Sequence, residues 1–131
     1  NLNYWKYGDY IGIGPGAHGR ITKNHLRYRT ETPKSPDKWK FDILSKNISN
    51  FLIKEIFKEE QKQEYIMTSL RLVEGLNKTK LYNINNRKLP EKQIQFLKEY
   101  DLITENANFI KTTKKGKLFI NKIIFYLNEV Q

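Results

Sequence analysis

The residues best suited to chemistry crowd into the first eighteen positions of the chain, NLNYWKYGDYIGIGPGAH. Tyr4, Trp5, Tyr7 and Tyr10 offer aromatic faces, and Gly12, Gly14 and Gly16 alternate with Ile13 and Pro15 before Ala17 and His18. Glycines at the end of an apolar run let a backbone pass close to another group or take dihedrals that a Cβ forbids. Two readings follow, a backbone that approaches a ligand and a bent strand that turns sharply at its end. His18 is the imidazole placed where a ligand would lie. It suits a general base, a porphyrin-iron ligand or a hydrogen-bond donor, beside the plain reading of a structural histidine at a strand end. No nucleophile with a base, and no local acid and base pair, accompanies it, so no catalytic set is expected within these residues.

Composition narrows the partners. The 131-residue chain has no cysteine, which excludes disulfides, thiolate metal ligands and an iron–sulfur cluster held by this chain alone. With His18 and His25 its sole imidazoles, a structural zinc site is not expected. A net charge of +10 favours an acidic partner such as nucleic acid, an anionic membrane surface or a polycarboxylate, unless it merely reflects drift toward lysine. Tyr4, Trp5, Arg27, Tyr28 and Arg29 could stack on and neutralise single-stranded nucleic acid, although the same pattern describes a strand with one wet face. No apolar run reaches the roughly 20 residues of a membrane span. The N-terminus lacks a basic region followed by an apolar one, so a soluble, cytoplasmic protein is expected.

Several elements must hold those residues in place. Tyr10-Ile11-Gly12-Ile13-Gly14 reads as a short, covered strand ended by Pro15-Gly16, and Arg20–Thr30 as two short strands with Asn24 in the turn or as an irregular ribbon. Ser35-Pro36-Asp37 is a helix entry, with Ser35 as N-cap, leading into a short amphipathic helix anchored by Trp39 with Ile43 and Leu44, and left near Asn47. Phe51 to Leu76 is read as helical, with Lys58 to Gln61 as a first turn after a short break, an Arg71–Glu74 brace and Gly75 as the C-terminal cap. Asn77 to Leu89 reads as a loop with at most one ordered turn. Pro90 begins another helix whose Lys92, Gln93, Gln95 and Lys98 are candidates for reading DNA, or simply its solvent face. A hairpin of Leu102–Thr104 and Phe109–Thr112 follows. Thr113 then caps a last helix with Leu118, Phe119, Ile123, Ile124 and Leu127 on its apolar face. Helix, helix, hairpin and helix is compatible with a winged-helix-like unit.

Some of these residues also resemble a known family. Asn1, Tyr4, Trp5, Tyr10, Gly12, Gly14, Gly16, Ala17 and His18 are similar to the N-x-x-Y-W and G-x-G-x-G-A-H segments of the HemW family, oxygen-independent coproporphyrinogen oxidase-like radical SAM proteins. Leu70-Arg71-Leu72-x-Glu74-Gly75 resembles its L-R-L-x-E-G segment, and Thr113-x-x-Gly116 its terminal T-x-x-G, all in family order.

The resemblance implies an α+β fold: the terminal strand segment of a partial (β/α) barrel, then a mainly helical, winged-helix-like C-terminal domain. Residues 1–32 would be the last barrel strand and ribbon, 33–50 a connecting helix and 51–131 the HemN-type C-terminal domain. The intact protein would carry a [4Fe–4S] cluster, S-adenosylmethionine and haem, none of the first two held by this chain. Cofactor contacts are expected from Asn1, Tyr4, Trp5, Gly12, Gly14, Gly16, Ala17 and His18, with a further histidine just before Asn1. The function implied is a haem chaperone that delivers haem to apoproteins. The alternatives are an oxygen-independent coproporphyrinogen III oxidase of porphyrin metabolism and, on the charge and terminal pattern, a basic winged-helix nucleic-acid binder, the least favoured. Without its barrel neighbours, the Tyr10–Gly14 strand is expected to pair with a second chain in a strand-exchanged dimer.

Overall fold

A computed structural model describes residue 3, residues 6–46 and residues 51–129. Contacts divide the chain into two compact units, Gly8–Phe57, and Asn1–Tyr7 together with Lys58–Gln131.

In the first unit, β1 (His18–Lys23) and β2 (Leu26–Glu31) form an antiparallel hairpin, the first of the two alternatives for this stretch, and β3 (Leu52–Glu55) adds to β2. Asn24 and His25 turn the hairpin at φ of 53° and 65°. Consecutive positive φ values match the right-handed twist of a tight hairpin, and asparagine tolerates them well. The register sets Arg20 opposite Arg29 and Ile21 opposite Tyr28. β3 departs from the helix expected from Phe51: Leu-Ile-Lys-Glu is a four-residue extended run, too short to show a helical period, and it pairs along Tyr28–Glu31. Helix α1 (Pro36–Leu44) starts as expected, with the Ser35 side chain accepting from Lys38 N at 3.4 Å, and its C-cap is Ser45. Asn47, its expected exit, lies outside the described residues. The expected apolar face is also corrected. Asp42 is the buried position, while Ile43 and Leu44 are exposed and Trp39 is only partly covered.

The second unit holds the larger core. Helix α2 (Lys58–Ser69) leads through a turn to β4 (Leu76–Asn77), α3 (Lys78–Asn85) and α4 (Glu91–Glu99). The hairpin β5 (Ile103–Glu105) and β6 (Phe109–Thr112) follows, then α5 (Lys114–Lys117) and α6 (Ile120–Leu127). The antiparallel sheet is ordered β4-β6-β5. Ile66, Leu70, Leu76, Leu81, Ile94, Leu97, Ile103, Ile110, Ile123 and Leu127 bury one another at its centre. Burial of this kind is the main term favouring the fold, at roughly 25 cal/mol per Å². Tyr65 donates its ring to that core and accepts Asn77 N–H at 3.1 Å; burial pushes its phenol above the ordinary value.

Three expectations here are corrected. Asn77–Leu89 is not a loop, because Asn77 caps α3 by accepting from Lys80 N at 3.1 Å and Leu81 plugs the helix into the core. Tertiary burial overrides the low helix propensity of an asparagine-rich segment. The Arg71–Glu74 brace is absent because α2 ends at Ser69, so those residues share no helical turn. Arg71 instead donates to Asn121 Oδ1 at 2.9 Å, and Glu74 lies 3.4 Å from Lys6 Nζ. Thr113 does cap a helix, accepting from Gly116 N at 2.9 Å, but α5 is short and Leu118 is exposed before α6 begins.

Candidate functional site

The loop from Gly8 to Ala17 leads into β1 and is laced to the hairpin at both ends, to β1 and β2 at one and to Thr32 just beyond β2 at the other. Tyr10 and Arg20 exchange backbone hydrogen bonds of 2.9 Å. Asp9 accepts from Thr22 N–H and Thr22 Oγ1, each at 2.9 Å, and from Arg27 Nη1 at 3.1 Å. Burial pushes the Asp9 carboxyl up, but those hydrogen bonds and the Arg27 charge outweigh it, and the net pKa lies below the ordinary carboxylate value. At the other end Thr32 bridges two turns of the loop, donating to Gly14 O at 2.5 Å and accepting Ala17 N–H at 2.8 Å.

Between these ties the glycines do separate work. A Cβ at Gly12 would lie 2.6 Å from His18 O, so the strand end and the loop are in backbone contact only because residue 12 has no side chain. Gly14 turns at φ +96° in open space. The covered strand expected at Tyr10–Gly14 is therefore corrected: only Tyr10 makes an isolated bridge, while Ile11 and Ile13 are 78% and 88% exposed. With glycine at every second position the segment has no side chains to cover a sheet on one face.

His18 opens β1 opposite Glu31, with Nε2 3.4 Å from Glu31 Oε1 and a side chain 56% exposed. The turn at this edge thus brings Gly12 against Ala17 and His18, links Gly14 to Ala17 through Thr32, and sets Gly16 beside Pro33 and Lys34. Asn1, Tyr4 and Trp5 lie outside the described residues. The edge offers two exposed isoleucines and an accessible imidazole, which suits the rim of a flat apolar ligand or a single axial contact to iron. It does not suit a cluster: the chain has no cysteine, and among the described residues no group of histidine, aspartate and glutamate could hold a metal ion.

The nucleic-acid sets fare differently. Arg27 is buried and committed to Asp9 and to Gly8 O, so it is not a phosphate contact. On α4, Gln93 is buried with Nε2 donating to Tyr126 O at 3.0 Å, and Lys98 sits 3.4 Å from Glu105. That removes Gln93 from the proposed reading face, while Lys98 keeps only a long, part-exposed ion pair. The residues missed by sequence reasoning are Asp9, Thr22 and Thr32, which shape the loop. Their signal was faint, since each is a lone polar residue beside a strand.

No family model matches the chain. Over 95% of its length it is 35% identical to the haem chaperone HemW of Buchnera aphidicola subsp. Acyrthosiphon pisum, of which it covers 32%. It is 32% identical to HemW of Haemophilus influenzae and 31% identical to a mitochondrial radical S-adenosyl methionine domain-containing protein of Dictyostelium discoideum, each again over 95% of this chain. The chain spans about a third of these relatives, 32% and 33% respectively. Among solved structures it resembles coproporphyrinogen III oxidase (HemN) from Escherichia coli, described as a radical SAM enzyme. The TM-score is 0.62 at 16% identity, over 92% of this chain and 28% of that one, a likeness of fold.

Proposed function

We propose that this chain, a C-terminal HemW/HemN-like segment, is part of a haem chaperone that binds haem and passes it to apoproteins. The observation that carries the reading is the similarity along 95% of the chain to proteins named haem chaperones. The exposed Ile11, Ile13 and His18 support it, since a ligand-facing edge must leave apolar surface and an imidazole uncovered. In this reading Gly14, with nothing within 4 Å of its open side, lets the loop approach the porphyrin, and Asn1, Tyr4 and Trp5 are separate candidates for cofactor contact. The cluster and S-adenosylmethionine belong to the remaining two-thirds of the protein, in a partial (β/α) barrel, and the whole works in the cytoplasm. The order helix, strand, helix, helix, hairpin, helix, helix in residues 58–127 supports a winged-helix-like cover domain. Among the described residues no helix is long and apolar enough to cross a membrane.

Haemin titrated into the full-length protein and followed at the Soret band tests this. The wild type binds with a shifted band, and a Tyr4→Ala/Trp5→Ala/His18→Ala variant loses affinity or changes the band. An unchanged titration removes these residues from the site. The fold likeness to HemN favours a second reading, coproporphyrinogen III oxidation. Conversion of coproporphyrinogen by the cluster-loaded full-length protein would select it.

A further inference from the structure

In the second unit, α4, α5 and α6 line an open groove of about 380 Å³. Leu97 and Ile123 are buried at its floor, while Phe96, Tyr100 and Phe119 on its walls remain 41–56% exposed. The core beneath is already closed, so these rings are not needed to seal it. Aromatic surface kept in water beside a finished core marks a place where something else is buried.

Charge narrows the occupant. From Asn106 to Asn128 the chain has Lys111, Lys114, Lys115, Lys117 and Lys122 and no acidic residue. Lys115 and Lys122 stand on the groove itself. Lys115 Nζ donates to Tyr100 O at 3.0 Å, and Lys122 Nζ lies 5.9 Å from the Phe119 ring centre. Among the described residues no carboxylate comes within ion-pair distance of either. An apolar trough bordered by uncompensated cations matches an amphipathic helix with one apolar face and acidic flanks. Nucleic acid fits less well. The rings are tilted against one another, Phe96 at 50° to Tyr100 and 47° to Tyr126, which leaves no parallel platform for successive bases.

We infer that this groove docks an acidic, amphipathic helical segment of a partner protein. The inference stands apart from haem binding and does not need it. Random peptides about 16 residues long, some four helical turns, are displayed on phage and selected on the full-length protein. Enriched peptides are then synthesised with a fluorescein label and titrated by anisotropy. The expected winners carry apolar residues at i, i+3 or i+4 and i+7 with Asp or Glu between them. Their affinity falls about tenfold or more in Lys115→Glu/Lys122→Glu, and falls also in Phe119→Ala/Lys122→Glu, which spares the Lys115 contact to Tyr100. Circular dichroism melts confirm that both variants are folded. The inference fails if nothing is enriched or if the winners bind the folded variants unchanged. It also fails if sequence-scrambled acidic peptides bind equally well. Stoichiometric displacement by single-stranded DNA or by haemin would instead assign the groove to that ligand.

Discussion

Arg27 and Asp9 form an unequal pair: Nη1 and Oδ1 lie 3.1 Å apart, with the arginine side chain 7% exposed and the aspartate 48%. The arginine brings a buried charge, and the aspartate carries it to the surface while fastening the loop to Thr22. Removing the carboxylate leaves the guanidinium buried with its Gly8 carbonyl contact. Asp9→Asn is expected to destabilise the first unit by about 2 kcal/mol, read from urea unfolding followed by Trp39 fluorescence in a Trp5→Phe background. Because the Asp9 pKa is depressed by folding, its contribution is complete above the ordinary carboxylate range, near pH 4, and is lost as pH falls through the lower folded value. The gap between wild type and Asp9→Asn should be constant from pH 7 to about 5 and close on further acidification. A gap that widened in acid would contradict the pairing.

Glu105 joins two lysines of unequal standing. Its Oε2 lies 2.6 Å from Lys78 Nζ and its Oε1 3.4 Å from Lys98 Nζ, and the Lys78 hydrogen bond is the foremost reason its pKa is lowered against the pull of burial. A double-mutant cycle should give the Lys78–Glu105 pair a coupling of about 1 kcal/mol and the more exposed Lys98–Glu105 pair a few tenths. Equal couplings would mean that both pairs are only surface electrostatics. The sign with pH is the same as for Asp9: the contribution is present in neutral solution and disappears in acid.

The parts of this fold that could be read in advance are those with a local physical signature. Ser35-Pro36-Asp37 combines a side-chain cap, a fixed φ and a favourable charge, and α1 begins there. Asn24 marks its hairpin and Pro90 precedes α4 for similar reasons. Elements decided by distant partners were not legible. Leu52–Glu55 is a strand because β2 offers it an edge, and Lys78–Asn85 is a helix because Leu81 finds a cavity among residues far along the chain. The same limit applied to the candidate site. Glycine spacing marked a special backbone, but spacing alone left open whether Tyr10–Gly14 was covered. That depended on Asp9 fastening the loop to β1 and on Thr32, just beyond β2, holding Gly14 and Ala17.

Gly12 and Gly14 should respond differently to the same methyl group. At Gly14 the added Cβ meets nothing within 4 Å, and the cost is that of holding alanine at φ +96°, about 1 to 2 kcal/mol. At Gly12 it meets His18 O and the Ala17 Cβ, so the loop must lift from β1. Gly12→Ala should therefore free the Tyr10 and Arg20 amides, which exchange hydrogen bonds across this junction, to hydrogen exchange, whereas Gly14→Ala leaves them protected. Equal protection in the two variants would show that the contact at Gly12 is dispensable.

Ile66 and Phe41 are both large apolar side chains on helices, yet truncating them should give opposite results. Ile66 is 0% exposed on α2 and packed among the core residues of the second unit, so Ile66→Ala removes buried contacts and leaves a cavity, with an expected loss of about 3 kcal/mol. Phe41 on α1 is 68% exposed, and Phe41→Ala should stay within about 0.5 kcal/mol of the parent. Thermal and urea unfolding of the chain separates the two. A large cost at Phe41 would contradict the exposure of its ring on α1.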